Sequence, residues 1–276
     1  MMPSHLPADI TSTVRSALNE DIGSGDLTAE LIPPEKMNKA EVISREPAVL
    51  CGSAWFDEVF RQLDATTRID WSFTDGDRIM PEIPLCRISG RTRTLLTGER
   101  TALNFLQLLS GTATVTEAYV SMLAGTKTRL LDTRKTIPGL RSAQKYAVTC
   151  GGGKNHRMGL YDAILIKENH IQAAGGIQPA VQLAKSRYRQ VEIEVENMQE
   201  LEQAIAAGAD TIMLDNFDLE LIRDAVRINQ GRSLLEVSGN VTLATLPELA
   251  ATGVDFISSG DLTKNVRAID FSMRIM

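Results

Sequence analysis

The sequence predicts an α/β protein in which a barrel of parallel strands follows a smaller antiparallel sheet domain. Three observations carry this expectation. After Gly125, short apolar runs that close in a polar or charged residue alternate with helical segments, the rhythm of βα units. Between Ala40 and about Arg93, short strand-like runs instead alternate with turn signals. At 276 residues, 43% of them hydrophobic, the chain is long enough to bury a sizeable core.

In order along the chain, Ile10, Val14, Ala17 and Leu18 recur at helical spacing, so Asp9 to Asn19 reads as an amphipathic helix. The glycine-punctuated stretch from Glu20 to Thr28 follows as a loop. Ala40–Ser44, Thr67–Phe73 and Leu85–Ser89 read as strands, with turns at Asp75-Gly76-Asp77 and Ser89-Gly90. Two helices are expected near Glu99–Leu109 and Thr114–Leu123, separated by Gly111. The barrel strands are then Arg129–Thr133, Ala163–Lys167, Val191–Glu196, Thr211–Asp215, Leu234–Ser238 and Asp255–Ser259. Helical stretches such as Met198–Ala206 and Leu246–Ala251 lie between them, with Gly208 and Gly253 as C-caps. Six successive units predict a closed or nearly closed barrel. The absence of a GxGxxG after a first strand speaks against a dinucleotide-binding fold.

Composition narrows the function. A formal net charge of −6 lacks the basic footprint of a nucleic-acid binder. Cys51, Cys86 and Cys150 are too scattered for a disulfide framework or a zinc site. Met1–Asp9 holds no apolar targeting core, and no run approaches the ~18 apolar residues of a membrane span. A cytoplasmic protein with no membrane or nucleic-acid partner is expected.

Barrel enzymes place their chemistry at the C-terminal ends of the strands. Collected there, the sequence gives Thr133, Arg134 and Lys135, then Lys167, Glu196, Asp215, Ser238-Gly239-Asn240 and Ser259-Gly260-Asp261, with His156 and Arg157 from a Gly-rich loop. Four cations beside two carboxylates fit a polyanionic substrate with a metal, because Arg forks bind carboxylates and phosphates in bidentate fashion. Lys167 follows four apolar residues, so its stem begins inside the fold. A lysine at a barrel strand end also suits a Schiff-base nucleophile, which keeps an aldolase-like reading open. Val191 to Glu196 alternates strictly and puts Glu192, Glu194 and Glu196 on one face, where a barrel should pair them with cations, a metal or substrate hydroxyls. The two late Ser-Gly turns expose backbone N–H groups suited to phosphate. His5 is terminal, and His170 reads as the acceptor or donor of a local structural hydrogen bond.

The run Asp132-Thr133-Arg134-Lys135-Thr136-Ile137-Pro138-Gly139-Leu140-Arg141 resembles the quinolinate phosphoribosyltransferases, as do Gly151-Gly152-Gly153-Lys154-Asn155-His156-Arg157 and Leu165-Ile166-Lys167-Glu168-Asn169-His170. Glu194-Val195-Glu196-Asn197, Met213-Leu214-Asp215-Asn216, Glu236-Val237-Ser238-Gly239-Asn240 and, nearer the N-terminus, Leu96 to Asn104 are similar too. The resemblance implies an N-terminal α/β sandwich domain over residues 1–111, with a C-terminal tail at about 266–276 packing on it. It implies an incomplete TIM-like α/β barrel over 112–276. It further implies transfer of phosphoribosyl from phosphoribosyl pyrophosphate to quinolinate with decarboxylation, Mg²⁺ as cofactor, and a homodimer with shared sites to which Arg100 is contributed by the neighbouring chain. Arg134, His156, Arg157 and Lys167 would hold the quinolinate carboxylates. Lys135, Glu196 and Asp215 would serve ribose, pyrophosphate and metal, with Lys167, Glu196 and Asp215 as the catalytic set. Ser238, Gly239, Asn240, Ser259 and Gly260 would cradle the 5-phosphate. The family often reads Ser-Val-Gly-Ala-Leu-Thr where this chain has Ser258-Ser259-Gly260-Asp261-Leu262-Thr263. A carboxylate beside a phosphate is unfavourable unless it turns away or pairs, for instance with Lys264. A same-fold phosphoribosyltransferase with another acceptor and a non-catalytic ligand-binding protein stand as rivals.

Overall fold

The structure, a computed structural model, describes residues 5–276, so Met1–Ser4 of the N-terminal stretch lie outside it. The elements, in chain order, are α1 (Ile10–Ile22), β1 (Met37–Ser44), β2 (Ala48–Val49), α2 (Ser53–Leu63), β3 (Arg68–Trp71), β4 (Arg78–Ile79), β5 (Pro84–Arg91) and α3 (Thr92–Met122). There follow β6 (Arg129–Leu131), α4 (Arg141–Cys150), β7 (Leu165–Ile166), α5 (Glu168–Ala174), α6 (Ile177–Lys185), β8 (Glu192–Val195), α7 (Met198–Ala207) and β9 (Thr211–Asp215). The chain closes with α8 (Leu219–Asn229), β10 (Leu234–Ser238), α9 (Leu246–Ala251), β11 (Phe256–Ser258), α10 (Asp261–Lys264) and β12 (Phe271–Ile275).

Two compact units emerge, and neither is contiguous in sequence. The first comprises the described residues up to 117 together with 136–152 and 262–276; the second comprises 118–135 and 153–261. A segment expected to belong wholly to the barrel therefore supplies α4 to the first unit.

The first unit is built on an antiparallel sheet of order β12-β1-β5-β3. The C-terminal strand β12 pairs along β1 with Ala40 opposite Ile275 and Ser44 opposite Phe271. Helix α2 is amphipathic and sinks Trp55, Phe56 and Phe60 completely into the core. Burying each such aromatic contributes roughly 1.5–3 kcal/mol. Its N-terminus is held by the buried Asp75 carboxylate, which accepts from the Gly52 and Ser53 amides at 3.1 Å each. That places a negative charge on the positive end of the helix dipole. Tyr146 of α4 donates to the same carboxylate at 3.0 Å.

The two helices expected on either side of Gly111 are one continuous helix of 31 residues, α3. Gly111 is not a breaker. A Cβ there would come within 2.3 Å of the Arg267 carbonyl oxygen, so the residue is small because another backbone segment crosses the helix at that point.

The second unit is an all-parallel six-stranded sheet of order β6-β11-β10-β9-β8-β7. Among the described residues β6 and β7 do not pair, so the barrel is left open at that seam. The open edge of β6 is met instead by Lys154, whose amide donates to Leu130 and whose carbonyl accepts from Asp132. In β8 the alternation is as the sequence implies: Ile193 and Val195 are fully buried, while Glu192 and Glu194 share the other face. Gly208 caps α7 in the left-handed conformation, and Asn197 opens the same helix by accepting from the Glu200 amide.

Candidate active site

The strand ends of the second unit surround a cavity of about 280 Å³. Arg134 and Lys135 reach it from beyond β6, Arg157 and His156 from the loop before β7, and Lys167 from the end of β7. Glu194 of β8, Asp215 of β9, Ser238 of β10 and Ser258 of β11 complete the polar wall, beside Thr133 and the apolar Leu165 and Met213. All four cations singled out in the sequence therefore meet in one place. A larger cavity of about 640 Å³ in the first unit is lined by Asp9, Glu20 and Asp21 and by no cation, so it offers nothing to a polyanion.

Local structure explains how each group is held. Lys167 is the N-cap of α5 and forms an ion pair with Glu194. Its backbone amide donates to His170 Nδ1 at 3.0 Å, which gives His170 the local structural role expected of it. The loop carrying His156 and Arg157 is tied down by Asp132, a fully buried carboxylate at the end of β6. Asp132 accepts from the Asn155 side chain at 2.6 Å and from the His156 amide at 2.8 Å. Asp132 closes an apolar run and opens the motif that carries the resemblance, but neither pointed to this anchoring role.

The electrostatics match the crowding. Burial first, and then the neighbouring Arg134, pull Arg157 below the ordinary guanidinium value, partly opposed by Glu192, Asp162 and Glu194. Burial and Glu194 raise Asp215, while Lys167 and Lys135 oppose the rise. Deeper in the unit, burial and Glu192 push Glu236 up to about 7, with His156 working the other way.

Family models for the N-terminal and C-terminal domains of quinolinate phosphoribosyl transferase match residues 26–110 and 112–274. The chain belongs to the quinolinate phosphoribosyltransferase family. A nicotinate-nucleotide pyrophosphorylase structure from Francisella tularensis is 50% identical, superposes with a TM-score of 0.96, and is covered over 99% of its length by 100% of this chain. The probable nicotinate-nucleotide pyrophosphorylase [carboxylating] of Bacillus subtilis is 41% identical over 93% of this chain and 90% of its own. The chloroplastic enzyme of Arabidopsis thaliana is 38% identical over 99% of this chain and 84% of its own. A nicotinate-nucleotide pyrophosphorylase structure from Pyrococcus furiosus, at 16% identity and a TM-score of 0.68, shares the fold.

The remaining residues that the quinolinate phosphoribosyltransferase resemblance singled out fall into four places. Glu196 does not line the cation cavity; it faces an adjoining acidic hollow with Glu168, Glu194 and Glu200. It is exposed, and its carboxyl is raised chiefly by the like charge of Glu168. Ser238-Gly239-Asn240 closes β10 in a turn that only glycine fits, since Gly239 has φ +96° and a Cβ would press within 2.2 Å of Asn216 Oδ1. Ser259 Oγ accepts from the Asp261 amide at 3.3 Å, and Gly260 lies against the stem of Lys135. The Asp261 carboxylate meets the buried Tyr119 hydroxyl, whose pKa is raised by burial and then by that charge. Asp261 thus has a buried partner that the sequence did not point to. Arg100 lies exposed on α3 in the first unit.

Proposed function

We propose that this protein transfers phosphoribosyl from phosphoribosyl pyrophosphate to quinolinate, releasing pyrophosphate and carbon dioxide and leaving nicotinate mononucleotide for NAD synthesis. The observation that carries the reading is the convergence of Arg134, Lys135, Arg157 and Lys167 on one cavity of about 280 Å³, in a chain of this family. A dicarboxylate and a phosphorylated sugar are both polyanions, and guanidinium forks hold carboxylates bidentately.

Arg134, Arg157 and Lys167 fix the two carboxylates so that the pyridine nitrogen faces C1 of the donor. As the bond from C1 to pyrophosphate breaks, positive charge grows on the sugar. Asp215, whose carboxyl is subject to the charges of both Lys167 and Lys135, orients the ribose hydroxyls and offsets that charge. Lys135 neutralises the departing oxyanions. N-ribosylation leaves a cationic ring, and that cation accepts the electron pair released when the C2 carboxylate departs as carbon dioxide. A proton then replaces the carboxylate at C2, a step that the ammonium of Lys167 supports.

Glu196 and Asp215, with Glu194 and Glu168 nearby, offer only hard oxygen donors whose mutual repulsion raises Glu196, a donor set that suits Mg²⁺. Bound there, the ion would supply charge neutralisation for pyrophosphate. The Ser238 and Ser259 turns are the proposed 5-phosphate cradle, and Arg100 the proposed contribution of a second copy in a cytoplasmic homodimer. The test is incubation with quinolinate, phosphoribosyl pyrophosphate and Mg²⁺. Equimolar nicotinate mononucleotide, pyrophosphate and carbon dioxide are expected; a folded protein that yields none of them overturns the reading.

A further inference from the structure

His156 lines the cation cavity, and the resemblance made it a substrate ligand. Its ring geometry assigns it elsewhere. Nδ1 accepts from the Arg157 backbone amide at 2.7 Å, so Nδ1 carries no proton. The ring proton must then sit on Nε2, which faces Glu192 at 3.1 Å. The carboxylate of Glu236 lies 3.7 Å from the same nitrogen. Both nitrogens are thus engaged by protein atoms. The backbone amide of His156 is bound as well, by Asp132 at 2.8 Å.

We propose that His156 is a positioning residue that takes no hydrogen bond from the substrate and instead locks the Arg157 backbone to the carboxylates of β8 and β10. Arg157 follows directly in sequence, so the imidazole fixes the point from which its guanidinium reaches into the cavity. The proposal rests on reading that cavity as the acceptor site.

A divalent cation is the obvious competitor for this cluster, because donor atoms of His156, Glu192 and Glu236 all lie within 4.8 Å of one another. The tautomer decides against it. A metal needs the Nε2 lone pair, and the bond from the Arg157 amide to Nδ1 leaves a proton on that nitrogen. The two acids need no metal to coexist either. Glu236 is 1% exposed and is pushed up to about 7 by burial and by Glu192, so its protonation eases the repulsion between the two acids.

The chain has three histidines, so nitrogen-detected NMR of the full-length protein resolves the ring directly. We expect His156 to show an unprotonated Nδ1 and a protonated Nε2 near neutral pH. Saturating quinolinate should shift the Arg157 guanidinium signals and leave both His156 nitrogens in the same protonation state. A doubly protonated ring, a protonated Nδ1, or a proton moving on the ring as quinolinate binds would overturn the proposal. If quinolinate shifts no signal at all, the acceptor reading of the cavity fails, while the tautomer still decides the role of His156.

Kinetics give a second measurement. His156→Leu removes the acceptor for the Arg157 amide and should cost on the order of 100-fold in kcat/KM, as for a misplacement of about 1 Å. His156→Asn puts an oxygen where Nδ1 stood and should recover about tenfold or more of that loss, with the recovery in KM for quinolinate. Equal losses in the two variants would mean that the imidazole itself meets the substrate.

Discussion

Replacing Glu236 by Gln isolates what a buried acid costs this fold. The folded carboxyl titrates at about 7, against an ordinary value of 4.5, because burial and the neighbouring Glu192 disfavour its charge. The folded state therefore holds this proton more tightly than the unfolded chain does. Its contribution to stability is fully present below the unfolded value and is lost as pH rises through about 7. At ~1.4 kcal/mol per pH unit, the gap between those two values amounts to a loss on the order of 3 kcal/mol at alkaline pH. About 2 kcal/mol of it falls between pH 5.5 and pH 8. A Gln amide has the same shape and never charges, so the variant escapes this loss. Urea unfolding of wild type and Glu236→Gln at both pH values reads the difference, with the variant gaining about 2 kcal/mol relative to wild type on going to pH 8. Stability profiles that run parallel across that range would refute the idea that Glu236 is held protonated by burial.

Asp132→Asn keeps the shape but removes the charge and one acceptor from the pair that binds Asn155 and His156. A loss of about 1.5–3 kcal/mol in stability, read by denaturant melts, and a raised KM for quinolinate are expected. Arg134→Ala should cut turnover with quinolinate severely while the circular dichroism spectrum stays that of the folded protein; near wild-type kinetics would remove Arg134 from the acceptor site. Gly111→Ala must push the Arg267 backbone away from a Cβ that would otherwise sit 2.3 Å from its carbonyl, so a lowered melting temperature by calorimetry is expected.

Much of the cavity was legible because strand ends are local features. Lys167, Asp215 and Ser238 each close an apolar run, and parallel strands carry such residues to one face wherever the barrel is assembled. The alternation of Glu192 and Glu194 with Ile193 and Val195 likewise announced their common face. Their partners, His156 and Lys167, could not be read, since those contacts join residues 36 and 27 positions apart. Glu236 escaped notice because it lies inside the run from Leu234 to Ser238, where a carboxyl looks like a strand interruption until its neighbours are known. Gly111 misled for the opposite reason. A glycine between two helical stretches carries the same local signal whether it breaks a helix or admits a crossing backbone, and only the distant Arg267 distinguishes them.

The seam beside β6 has a consequence for solubility and for redesign. An unpaired strand edge is a template for association with another chain, and proteins cover such edges or pay in aggregation. Here the cover is the stretch around Lys154, which borrows the hydrogen bonds of a missing strand and then runs on, two and three residues later, into His156 and Arg157. Guarding the edge and presenting the recognition groups are tasks of one short segment. Loosening it to admit a bulkier acceptor would uncover the edge at the same time, so variants with broadened specificity from this loop should be recovered chiefly from the insoluble fraction. Libraries aimed at new acceptors are better directed at Met213, which lines the cavity from β9 in the middle of the sheet, away from either edge.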